Sequence, residues 1–152
     1  MAMPAQFETF WKHWGMLMIY RGGCRCGRVS YQIEAAPKFQ LHCQCVECQK
    51  LTGAGHAAII VFPKEAFNSK GTVKTFGYRA ESGHDVIHHF CGECGAPLYN
   101  LNSHYTNAVY IMVGSLEDPS LFTPERIVFA SSGQEWDIMD PELPGFQGMP
   151  KR

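Results

Sequence analysis

Seven cysteines in three tight groups constrain this chain more than any other feature: Cys24 with Cys26, then Cys43, Cys45 and Cys48, then Cys91 with Cys94. The middle group is a C-x-C-x-x-C run whose members stand too close together to be bridged to one another without strain. Thiols at this spacing are suited to sharing a metal ion, and an odd number of them cannot all be consumed by disulfides. The longest apolar stretch near the start, Met16 to Ile19, is far shorter than the roughly 20 residues of a membrane span. It also carries no cationic leader or cleavage site. The expectation is a protein of the reducing cytoplasm, where clustered cysteines serve metal.

The outer groups have the glycine-rich setting of metal knuckles. In Cys91-Gly92-Glu93-Cys94-Gly95 the glycines permit the positive φ of a tight turn, so that backbone N–H groups can face the sulfurs. Gly22-Gly23-Cys24-Arg25-Cys26-Gly27 has the same character. Two such loops can close a Cys₄ site and tie together points some 65 residues apart. Four thiolates leave zinc no vacant position, so this site reads as structural, with Arg25 and Arg28 available to offset its negative charge. Cys43, Cys45 and Cys48 would then form a three-thiolate site with its fourth position open, the property that separates a zinc able to do chemistry from one that holds a fold. Spacing alone permits another division, with one middle cysteine joining Cys91 and Cys94 and the other two joining Cys24 and Cys26. A fourth protein ligand, from His42, His56 or Glu47, would close the middle site as well.

The remainder reads as short strands. Arg28 to Ile33 alternates with Val29, Tyr31 and Ile33 on one face, the period of a half-buried strand. Phe39 to Cys43 runs straight into the cysteine run. After Gly53 and Gly55, His56 to Phe62 is a β-branched run closed by Pro63. Glu65 to Phe67 suggests a helical turn. Val73 to Tyr78, Val86 to Phe90, Leu98 to Leu101, Val109 to Val113 and Ile127 to Phe129 complete the set. No long 3.6-residue period interrupts residues 16–130, so the fold class is mainly β. One zinc-binding domain is expected over 16–152, with an irregular tail from 131 in which Trp136 and Phe146 would anchor the chain back onto the sheet. Residues 1–15 form an extension in which Phe7, Phe10, Trp11 and Trp14 fall on one face of a short helix, for docking on the domain or on a second copy in a homodimer.

A single domain of 152 residues is long enough to bury roughly 70% of its unfolded surface. Thirteen basic and fourteen acidic residues are spread without a run of either sign, which argues against nucleic acid as a partner.

Taken together, Gly22-Gly23-Cys24-x-Cys26-Gly27, His42-Cys43-x-Cys45-x-x-Cys48 with Thr52-Gly53, and Phe90-Cys91-x-x-Cys94-Gly95 resemble the family of glutathione-dependent formaldehyde-activating enzymes and centromere protein V. The tail Trp136-x-x-x-Asp140-x-x-Leu143-Pro144-x-Phe146 is similar to the end of its short members. Gln49 stands after Cys48 where that family usually has Arg. The resemblance implies a β-tent with a structural zinc on Cys24, Cys26, Cys91 and Cys94 and a catalytic zinc on Cys43, Cys45 and Cys48. It also implies a carbon–sulfur lyase reaction that joins glutathione and formaldehyde in S-hydroxymethylglutathione. An open zinc makes physical sense of that, because coordination deprotonates a thiol and holds it beside an aldehyde. His42, His56 and His88 are candidate bases, and Lys50, Arg79 and Arg21 candidate partners for the carboxylates of a small thiol such as glutathione. The rival readings are a scaffold or binding module with two structural zincs, and a thiol redox or metal-buffering protein.

Overall fold

The computed structural model describes residues 18–151, and among these residues lie ten strands and one short α-helix, a mainly β architecture. Strands β1 (Ile19–Gly23), β2 (Ser30–Glu34) and β5 (Phe67–Lys70) make a small antiparallel sheet in the order β1-β2-β5. The larger sheet runs β10-β3-β4-β9-β8-β7-β6, built from β3 (Phe39–Cys43), β4 (Ala57–Pro63), β6 (Val73–Arg79), β7 (Asp85–Cys91), β8 (Pro97–Asn102), β9 (Ala108–Met112) and β10 (Arg126–Val128). Among the described strands of this sheet β10 pairs with β3 in parallel and the other neighbours pair antiparallel.

Strand β4 explains how the layers are arranged. Its run Ile60, Val61 and Phe62 is wholly buried, which requires cover on both faces of the sheet. Ile60 and Phe62 pack with Tyr20, Tyr31 and Ile33 of the small sheet and with Leu98, Val109 and Ile111. Ile59 and Val61 point the other way, onto Leu41, Cys43, Cys48, Met112 and Val128. Burying side chains of this size contributes roughly 1.5–3 kcal/mol each.

The expected strands all form, with ends displaced by a few residues, and the turn at Glu65 is a 3-10 turn over Lys64–Ala66. The helix α1 (Val46–Thr52) and strand β5 escape the sequence pattern because each is too short to show a period. The tail follows a different course from the one expected of Trp136, which is 67% exposed and anchors nothing. Around Phe146 the tail is held by backbone: the Phe146 N–H donates to the Ile127 carbonyl and the Ala130 N–H to the Phe146 carbonyl, both at 2.9 Å. The aromatic stripe of residues 1–15 lies outside the described residues.

Candidate metal centres and the cleft over the three cysteines

Cys24 and Cys26 sit in the turn that joins β1 to β2, Cys91 ends β7 and Cys94 sits in the turn that joins β7 to β8, so the small and large sheets each supply two. The four sulfurs lie within 4.8 Å of one another. A tetrahedron with metal–sulfur arms of about 2.3 Å has edges of about 3.8 Å, close to the 3.5 Å from Cys24 to Cys26 and the 3.7 Å from Cys26 to Cys91. The knuckle chemistry is present in detail. Gly27 and Gly95 take φ of 82° and 74°, which lets each loop fold over its sulfurs. The Val29 N–H donates to Cys24 Sγ at 3.2 Å. Amides of Ala96 and then Cys26 hold the Cys94 thiol down at about 6, nearer the thiolate that a metal needs.

The second cluster is built along one short piece of chain. Cys43 ends β3, Cys45 is the N-cap of α1, and Cys48 lies in its first turns, so the change from strand to helix folds three sulfurs to within 4.8 Å of each other. The Cys48 N–H donates to Cys45 Sγ at 3.3 Å, the place a serine or aspartate oxygen would take at an ordinary N-cap. Gly53 closes the helix in the left-handed conformation, with φ of 70° and its N–H donating to the Gln49 carbonyl. Hydrogen bonds from the Cys43 and Cys48 thiols pull Cys45 down to about 3, helped by the Cys48 and Glu47 amides. Cys43 is pushed up to about 12, first by its bond to Cys45, and Cys48 is raised by its bonds to both others. The group therefore carries one negative charge readily and resists a second and third. A divalent cation removes that resistance, because it compensates all three thiolates at once and displaces protons from Cys43 and Cys48. Soft, mutually close thiolates are a donor set suited to zinc. Both clusters thus fit a metal ion, four donors in one and three in the other.

The three cysteines floor a cleft of about 960 Å³. Val46 and Glu47 of α1, Tyr78 and Arg79 at the end of β6, and Asn100 of β8 lie along it. Tyr78 is raised well above the ordinary phenol value, first by burial and then by the negative charge of Cys48, Cys45 and Glu47, so it stays protonated in the cleft that the cysteines line. Phe129, another lining residue, has φ of 55° and ψ of 39°. This left-handed conformation costs a β-carbon residue about 1–2 kcal/mol and turns the chain from β10 into the tail.

The candidate histidines fall elsewhere. His42 points to the face of β3 opposite Cys43, its ring 5.2 Å from Phe122 and 4.7 Å from His56. His56 donates Nδ1–H to the Asp137 carboxylate at 2.9 Å. His88 is buried and 2.7 Å from Asn100 Oδ1, an atom that only accepts, so Nδ1 carries the proton. None of the three lines the cleft; His84 and His104 do, with rings stacked at 4.2 Å. Of the candidate cations, Arg79 lines it and is 2.7 Å from Asp85, whereas Lys50 and Arg21 do not. Sequence reasoning missed Tyr78 and Asn100, because neither belongs to a motif and only the fold carries them to the cysteines.

No helix among the described residues is long and apolar enough to cross a membrane. A crystal structure of a Rhodobacter sphaeroides protein is similar in fold, with a TM-score of 0.54 and 18% identity over 82% of this chain and 98% of that one. The sequence profile of the glutathione-dependent formaldehyde-activating enzymes matches residues 19–132. That span holds both cysteine clusters and most of both sheets, and the chain belongs to this family.

Proposed function

We propose that this protein is a zinc-dependent carbon–sulfur lyase that makes or breaks a small thiol–aldehyde adduct such as S-hydroxymethylglutathione, in the cytoplasm. The observation that carries the reading is the position of the three-cysteine cluster, on the floor of a cleft large enough for a small molecule. Zinc held there by Cys43, Cys45 and Cys48 would supply Lewis acidity that lowers the pKa of a substrate thiol. The protein's own groups supply the rest. Tyr78, kept protonated beside the sulfurs, is placed to donate a hydrogen bond to the adduct's hydroxyl or the aldehyde's oxygen as charge moves onto it. Asn100, fixed by His88, offers a second polar contact on the same wall. Arg79 is the cation of the cleft nearest Tyr78 in sequence and suits a carboxylate of the thiol. Apolar walls from Leu41, Ile59 and Val128 limit water around the reacting atoms.

A scaffold with two closed zinc sites is the alternative. It requires a fourth protein ligand at the middle cluster, and His56 is engaged instead by Asp137 on the other side of β3. The decisive assay mixes zinc-loaded protein with glutathione and formaldehyde and follows adduct formation against Cys45→Ser. The expected result is acceleration by the wild type that the variant loses while staying folded. Equal rates for the two proteins, or no rate above background, would defeat the reading.

A further inference from the structure

The tail between Ser132 and Asp137 grips the three-cysteine segment from behind. Gln49, one residue after Cys48, spends both hydrogens of its side-chain amide on carbonyls: Gln44 at 2.8 Å and Ser132 at 2.9 Å. It thereby ties Gln44, between Cys43 and Cys45, to Ser132, a residue 83 positions from Gln49 itself. Asp137 makes the second tie. Its carboxylate accepts from Gln44 Nε2 at 3.3 Å and from His56 Nδ1 at 2.9 Å. Gln44 is itself 5% exposed, and its N–H donates to the Val128 carbonyl at 3.0 Å. The approach is close enough to demand glycine at residue 55. A Cβ on Gly55 would collide with the Asp137 side chain, and one on Gly133 would stand 2.8 Å from Gln44 Oε1.

The residue between the first two sulfurs and the residue after the third are thus both fixed by the tail, although neither faces the cleft. Three ligands within six residues would otherwise depend on one strand end and a helix of two turns to keep their spacing. We propose that Gln49 and Asp137 are positioning residues of the three-cysteine metal centre, and that the tail sets how firmly this centre holds its ion. The same carboxylate holds the His56 imidazole on the far side of β3. The inference rests on the metal-centre reading above, and its test separates the two.

The experiment measures zinc transfer from the full chain to a chromophoric chelator in wild type, Gln49→Met and Asp137→Asn. Both changes nearly preserve side-chain shape while removing donors or charge. Cys45→Ser identifies which phase of release belongs to the three-cysteine centre. Hydrogen bonds made directly to metal ligands govern affinity by about 10–100-fold. Gln49 and Asp137 act one residue further out, so the three-cysteine phase should quicken by the lower end of that range, roughly tenfold, in each variant. The phase of the four-cysteine site should not change. Unchanged release in both variants would overturn the proposal. So would equal acceleration of the two phases with a lowered Tm, since that reports general loosening. If Asp137→Asn does not fold, Gln49→Met decides alone. A wild type holding one zinc, matched by Cys45→Ser, would defeat the metal-centre reading and this inference with it.

Discussion

The two cysteine clusters use one donor type in contrasting settings. Cys24, Cys26, Cys91 and Cys94 come from turns in different sheets, with Cys26 and Cys91 65 residues apart and Cys91 only 1% exposed. Cys43, Cys45 and Cys48 come from a single strand-to-helix junction and open onto the cleft of about 960 Å³. A metal in the first site would close a long loop and join two layers of the fold, so its binding energy is folding energy. A metal in the second closes almost no loop. On the proposed reading its binding would leave the fold much as it was and a coordination position facing the cleft. The number of ligands and the length of chain between them would then sort the sites: long span and four donors for structure, short span and three donors for chemistry.

That contrast is most easily broken by a substitution in the first cluster. Cys91→Ser removes a buried ligand that is also part of the core between the sheets. Structural zinc is worth about 10–16 kcal/mol in small zinc-folded peptides, so this variant should lose cooperative thermal unfolding or a large part of its Tm. A normal melting curve would mean the site is dispensable to the fold. Cys45→Ser, by comparison, should unfold like the wild type and lose activity.

A smaller effect sharpens the second half of the comparison. Tyr78→Phe keeps the ring and removes a hydroxyl donor from the cleft that the cysteines line. A positioned acid or hydrogen-bond donor contributes typically 10²–10⁴-fold. The variant should lose at least about a hundredfold in kcat/KM for adduct formation, at the lower end of that range, with its Tm little changed. Retained activity would move the donor role to another group of the cleft.

Much of this was legible before any coordinates. The strands at Arg28, Phe39 and Val86 announce themselves by alternation, and β4 by an unbroken apolar run that the structure buries on both faces. The division of the cysteines into four and three could be posed from spacing but not settled by it. What spacing lacked was topology: β1–β2 and β7–β8 lie in different sheets, yet their turns meet. Tyr78, Asn100 and the clasp of Gln49 and Asp137 were illegible for a related reason. Each acts through a partner far away in sequence, such as His56 with Asp137 across 81 residues, and no local period or motif encodes such a contact. Trp136 misled because a tryptophan reads as an anchor, whereas its neighbour Asp137 makes the attachment.

The contrast between a closed and an open site is tested most directly with cobalt. Co²⁺ loaded into both clusters reports each through its sulfur charge-transfer bands, and Cys45→Ser supplies the spectrum of the four-cysteine site alone. Adding a small thiol to the wild type should alter the three-cysteine component and leave the four-cysteine component unchanged, because only the former has a position to offer. A wild-type spectrum indifferent to added thiol, with both sites loaded, would contradict the account.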